Sequence, residues 1–124
     1  MLDERIIVTG GCGFIGSNFI RRILNKTNAK VLNIDKLSYA GNIITTKDFN
    51  ENKNYSFVHG DISDRKTIKD IINNFKPSRI FNFAAESHVD RSIESPENFI
   101  KSNIYGTFIL LDETLAYLNN KLVS

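Results

Sequence analysis

The chain has 124 residues, 41% of them apolar and 24% charged, which is one domain's worth of ordinary soluble composition and excludes a disordered chain, a collagen-like repeat or a disulfide scaffold. A net charge of +2 from scattered basic residues gives no reason to expect nucleic acid or an anionic membrane as a partner. With no apolar run near the ~20 residues that span a bilayer, no signal-like N-terminus and a single cysteine, the expected compartment is the reducing cytoplasm.

Ile6-Ile7-Val8 is the first short apolar β-branched run, and it ends in Thr9-Gly10-Gly11. From Phe14 onward Ile15, Phe19, Ile20, Ile23 and Leu24 recur at three- and four-residue steps, which predicts a helix. Val31-Leu32-Asn33-Ile34 is a second strand that stops at Asp35, and the polar stretch Lys36 to Asn54 is long enough for a functional loop. Phe57-Val58 marks a third strand. After it, Ile68, Ile71, Ile72 and Phe75 form one helical stripe, with Asp64 as its N-cap and Lys76-Pro77 as its stop. Ile80-Phe81-Asn82-Phe83 is a fourth strand. Ser95-Pro96 opens the last helix, which carries Ile100, Ile104, Phe108, Leu111, Leu115 and Leu118 along one side.

Short apolar strands separated by helices predict a parallel sheet covered on both faces. Right-handed crossovers favour the strand order 3-2-1-4. The expected fold class is α/β, a Rossmann-type doubly wound parallel sheet truncated after four strands, with an apolar fourth strand at its edge.

The segment Thr9 to Gly16 carries the chemistry. Gly11, Gly13 and Gly16 satisfy G-x-G-x-x-G, and Gly10, Gly13 and Gly16 the looser G-x-x-G-x-x-G. One glycine serves the tight turn, one lets a diphosphate approach backbone N–H groups, and one lets the helix pack on the strand. The start of the helix adds orphan amides and partial positive charge. Asp35 ends the next strand about 20 residues on, where a carboxylate accepts from an adenosine ribose and repels a 2′-phosphate. NAD is thereby favoured over NADP, with Lys36 as the feature that points the other way. Asp61-Ile62, after the third strand, is placed to meet the adenine.

TGGCGFIGSNFI (9–20), IDKLSYAGN (34–42), FVHGDISD (57–64), FAAESHVDRSIESP (83–96) and FIKSNIYGT (99–107) together resemble the dTDP-glucose 4,6-dehydratase family of extended short-chain dehydrogenases. The resemblance runs over nearly the whole chain but only about the first third of a family member. It implies that residues 1–124 are the N-terminal part of an NAD-binding domain. It also implies that NAD lies against Gly10, Gly13, Phe14, Ile15 and Gly16, Asp35, Lys36, Leu37 and Ser38, Asp61 and Ile62, Ala84, Ala85, Glu86 and Ser87, and Ser102, where the family more often has Thr. Ser87 and His88 would face the sugar nucleotide, Gly106 would make a close helix contact, and Asn103 would anchor backbone. The implied reaction converts dTDP-glucose to its 4-keto-6-deoxy product with loss of water, in a homodimer that pairs through helices including 96–119.

The family's catalytic Tyr-x-x-x-Lys and Asp-Glu pairs follow a fifth strand, so no catalytic residue and no metal ligand is expected in this chain. Tyr117 to Lys121 fits the first spacing but sits at the far end of its helix, and Asp112-Glu113 lies mid-helix and reads as a solvated face. Cys12 occupies a variable loop position with no base near it in sequence. Two alternatives stay open: a related sugar-nucleotide epimerase or decarboxylase, and a stand-alone NAD-binding module.

Overall fold

The computed structural model describes residues 4–37, 43–84 and 96–123. The elements run β1 (Arg5–Thr9), α1 (Phe14–Lys26), β2 (Lys30–Asp35), a 3₁₀ turn (Ile43–Thr46), β3 (Tyr55–His59), α2 (Arg65–Phe75), β4 (Arg79–Asn82), α3 (Pro96–Ile100), a π-helical turn (Lys101–Tyr105) and α4 (Gly106–Val123). The chain divides into two compact units, Met1–Gly60 with Pro77–Ala84, and Asp61–Lys76 with Ala85–Ser124.

The first unit holds the sheet. Its four strands are parallel in the order β3-β2-β1-β4, as the crossover argument expects. Val8 pairs with Asn33 and Thr9 with Ile34 on one side of β1, and with Phe81 and Asn82 on the other. Ile6, Val8 and Val31 form one core with Ile20 and Leu24 of α1, and Phe49 and Tyr55 close it. Phe19 reaches Phe81 and Phe83 with ring centroids 4.6 and 5.4 Å apart, tying α1 to the β4 side of the sheet. Ile7 and Ile34, at the alternate positions, are fully buried as well, which is the two-faced burial expected of a central parallel strand. Ile15 departs from the stripe read in α1: it is 66% exposed, while Gly16 and Ser17 beside it are buried.

The described part of the polar stretch after β2, residues 43–54, is tied back to α1. Arg21 of α1 grips Asp48 through Nε (2.6 Å) and Nη2 (2.9 Å), and Nη2 also donates to the Thr45 carbonyl. The same guanidinium lies over the Phe49 ring, 5.5 Å from its centroid.

The second unit contains α2, α3, the π-helical turn and α4. Asp64 caps α2 as expected, accepting from Thr67 N–H and from the Thr67 hydroxyl. The helix ends at Lys76 in the left-handed conformation (φ 55°), whose N–H returns to the Ile72 carbonyl before Pro77. α2 packs against α4, with Ile68, Ile72, Ile109 and Leu110 buried. Arg65 donates to Asp112 at 2.8 Å and to Glu113, and stacks on Phe108. Glu113 is therefore not on a solvated face; it is 9% exposed and paired, which sequence distance hides because Arg65 is 48 residues away. Gly106 is buried at the junction of the π-helical turn and α4, and the Asn103 carbonyl accepts from the Thr107 hydroxyl. The apolar side read in the last helix is outward: Ile100, Ile104, Phe108, Leu111, Leu115 and Leu118 are all exposed.

Candidate functional site

The C-terminal ends of β1, β2 and β4 converge on the glycine loop, the position where open α/β sheets bind ligands. Gly10 follows β1 with φ 71°, and its N–H donates to the Ile34 carbonyl at 2.8 Å. A Cβ there would lie 2.6 Å from Ala84 N and from the Phe83 carbonyl group, so only glycine lets the loop pass the end of β4. Gly16 fills the helix-packing role, since a Cβ on it would press into Gly10 and approach Gly11 Cα at 2.9 Å. Gly13 is different. It is the N-cap of α1 with an extended backbone (φ −76°, ψ 174°), and a Cβ on it would meet only the Gly10 carbonyl oxygen at 3.4 Å. Packing within the described residues does not demand a glycine at 13.

Among the described residues no side chain caps α1, and no acidic residue occupies its first turn. The amides of Phe14, Ile15 and Gly16 are those a helix cannot satisfy internally, so this end favours an anion. Phe14 (81% exposed) and Ile15 flank it as apolar surface.

Asp35 is placed beside this loop and is almost fully buried. One carboxylate oxygen accepts the Cys12 N–H at 2.8 Å and the other the Leu37 N–H at 2.7 Å. Each oxygen retains a lone pair for a further donor such as a ribose hydroxyl. Leu37 takes the left-handed conformation (φ 54°), an unusual state for a leucine, held by that bond to Asp35. The Lys36 carbonyl accepts from His59 Nε2 at 3.1 Å, and Gly60 N–H donates to the Asp35 carbonyl at 3.1 Å. The ends of β2 and β3 are thus locked together.

Ala84 comes to the same edge. Its N–H lies 3.3 Å from Thr9 Oγ1 and from Asn82 Oδ1, and the Thr9 hydroxyl donates to Asn82. Gly10, Gly13, Phe14, Ile15, Gly16, Asp35, Lys36, Leu37 and Ala84 therefore gather in the first unit. Asp61 and Ile62 belong to the second: Asp61 Oδ1 accepts from Ser63 N–H (2.9 Å) and Oγ (2.8 Å) in the turn before α2, and Ile62 is buried. Ser102 lies in the π-helical turn. Ser38, Ala85, Glu86, Ser87 and His88 lie outside the described residues.

Sequence reasoning missed the layer beneath the loop. Asn33, fully buried in β2, accepts the Gly11 N–H at 2.9 Å, and its Nδ2 donates to the Tyr55 hydroxyl at 3.1 Å and faces Cys12 Sγ at 3.5 Å. Thr45 Oγ1 donates to the Cys12 carbonyl at 2.7 Å. An amide inside an otherwise apolar strand, two residues before Asp35 and so on the same face, was the available signal. Cys12 itself is buried, and burial together with the Asp35 charge pushes its thiol up to about 11, which makes it inert rather than nucleophilic. Burial likewise raises the Tyr55 phenol.

The family model for GDP-mannose 4,6 dehydratase matches residues 7–123. The chain belongs to that family. It is 50% identical over 113 residues to the dTDP-glucose 4,6-dehydratase of Escherichia coli, which covers 91% of this chain and 31% of that protein. Among solved structures it is similar to the Bacillus anthracis dTDP-glucose 4,6-dehydratase in complex with NAD, with a TM-score of 0.82, 36% identity and coverage of 92% of this chain and 34% of that one. It is also similar to the Thermotoga maritima UDP-glucose 4-epimerase with UDP-glucose, with a TM-score of 0.81, 31% identity and coverage of 91% and 34%. The chain thus spans about a third of the length of the relatives it matches. Its resemblance to the dehydratases and its Rossmann-like four-stranded sheet agree with the expectations drawn from its motifs.

Proposed function

We propose that the chain is the N-terminal, NAD-holding part of a dTDP-glucose 4,6-dehydratase. The observation that carries the reading is the uncapped start of α1 at an uncrowded Gly13, with the Asp35 carboxylate fixed beside it. The amides at 14–16 would take the diphosphate, Asp35 the adenosine ribose, and Phe14 and Ile15 the apolar faces; Lys36, Leu37, Ser38, Ala84 to Ser87, Asp61, Ile62 and Ser102 complete the proposed contacts. NAD, when bound, supplies a hydride acceptor. This chain's own residues bind and orient it: the amides neutralise the diphosphate charge, and the buried Asp35 disfavours a 2′-phosphate through like-charge repulsion.

Ser87 and His88 are proposed to face the sugar nucleotide, dTDP-glucose, which the full-length protein would convert to dTDP-4-keto-6-deoxyglucose and water. Identity to the E. coli dehydratase, higher than to the T. maritima epimerase, favours dehydration over epimerisation. The exposed apolar side of α4 supports a homodimer, and among the described residues no helix is long and apolar enough to cross a membrane. A cytoplasmic enzyme is the corresponding proposal. The test is to give the full-length protein dTDP-glucose and identify the product. A 4-keto-6-deoxy nucleotide sugar supports the reading; a C4 epimer, or no NAD uptake, overturns it. The 124 residues alone are expected to show no turnover, and turnover by them would contradict the placement of the catalytic groups elsewhere.

A further inference from the structure

We propose that Asn33 is a positioning residue of the glycine loop, and that Tyr55 orients it. Two side chains of β2, Asn33 and Asp35, share one strand face and take the amides of two consecutive loop residues, Gly11 and Cys12. Both amides are thereby turned inward, which leaves the later amides at the start of α1 as the outward ones. The backbone of Gly11 lies directly on the Asn33 carboxamide, since a Cβ on Gly11 would overlap Asn33 and the Ile20 side chain.

The carboxamide has one possible orientation. Its oxygen must face the Gly11 N–H, and its NH₂ then meets the Tyr55 hydroxyl and the Cys12 sulfur; reversing it would set donor against donor. Tyr55 is in turn held at the start of β3 by edge-on contact with Phe49, ring centroids 4.9 Å apart. A line of buried groups therefore runs from β3 through β2 to the loop, with Asn33 fully buried beneath it. The inference rests on the NAD reading and deepens it by naming what fixes the loop that takes the diphosphate.

The experiment uses the full-length protein with NAD, ADP and adenosine as probes, alongside amide hydrogen exchange without ligand. Asn33→Leu removes the acceptor at similar volume. It should weaken NAD and ADP by a common factor on the order of tenfold, leave adenosine unchanged, and speed exchange at Gly11. Tyr55→Phe removes the hydroxyl that orients Asn33 and also bonds Thr46; it should show the same pattern at roughly threefold, and faster exchange at Gly11 with weaker NAD and ADP decides the matter alone if Asn33→Leu does not fold. Unchanged NAD and ADP affinity in a folded variant overturns the proposal, as does equal weakening of adenosine, which would mark a merely structural role. A wild-type protein that takes up no NAD overturns the function reading instead, and unaltered Gly11 exchange in the variants would then still overturn the positioning role.

Discussion

Substituting two glycines of one loop separates folding from ligand binding. Gly10→Ala puts a Cβ on a residue with φ 71°, where the left-handed backbone costs an L-residue about 1–2 kcal/mol. The same methyl would sit 2.6 Å from backbone atoms of Phe83 and Ala84. Those atoms cannot recede freely, because Phe83 N–H donates to the Thr9 carbonyl at 2.9 Å. Overpacking of this kind costs about 1–3 kcal/mol, so Gly10→Ala should destabilise by roughly 2–5 kcal/mol. Gly13→Ala meets no such obstacle: its φ of −76° suits alanine and the nearest atom to the new methyl is 3.4 Å away. The loss of a glycine N-cap is offset by reduced freedom of the unfolded chain, leaving stability within about 0.5 kcal/mol. On the proposed reading, however, the methyl would stand in the path of the diphosphate. Losing one charge-assisted amide bond, about 1.5–3 kcal/mol, weakens NAD tenfold or more. Urea unfolding and NAD titration of the full-length variants give both numbers. A Gly13→Ala protein that binds NAD normally, or a Gly10→Ala protein as stable as wild type, refutes this division of roles.

Three further outcomes are expected. The Cys12 thiol, raised from 9.0 to about 11 by burial, stays protonated in the fold while an unfolded chain ionises, so its contribution to stability is intact below pH 9 and is lost as pH rises toward 11; the loss between about pH 8 and 10.5 is about 2 kcal/mol, and comparison of wild type with Cys12→Ala by unfolding at those two pH values measures it. Asp35→Asn should weaken NAD without creating NADP binding, because its NH₂ group must confront either the Cys12 or the Leu37 amide and so disturbs the loop itself; tight NADP binding by the variant would show that the carboxylate acts on the ribose alone. Leu111→Glu with Leu115→Glu on the exposed side of α4 should convert a full-length dimer to monomer in sedimentation, and a dimer that persists places the interface elsewhere.

What the sequence makes legible here is whatever depends on neighbours a few residues apart. The glycine spacing, the Asp64 cap, the break at Lys76-Pro77 and the period of α2 are all local, and strand order follows from them through a rule of handedness. Periodicity identifies a helix side but not what lies against it, which is why the stripe from Ile100 to Leu118 can be read as a stripe and still prove to be exposed. Pairings across 22 residues, such as Gly11 with Asn33, or across 48, such as Arg65 with Glu113, leave no local pattern. Asp35 is intermediate: its place at the end of β2 is visible, whereas its bond to the loop depends on how β1 and β2 are aligned.

That alignment joins the fold to the binding site. With Val8 beside Asn33 and Thr9 beside Ile34, the polar positions 33 and 35 fall on the side of the sheet shared with α1, directly under the loop that β1 feeds. A slip of one residue would exchange them for Leu32 and Ile34 and leave the Gly11 and Cys12 amides buried without acceptors. Each orphaned amide costs about 1–3 kcal/mol, a large share of a domain's typical margin of 5–15 kcal/mol. The two polar side chains therefore disfavour a one-residue slip, and the register they support takes up the Gly11 and Cys12 amides while, on the proposed reading, those at the start of α1 are left for an anion. Loop geometry and strand pairing are one choice, which is why a change at Asn33 should be felt by a diphosphate it never touches.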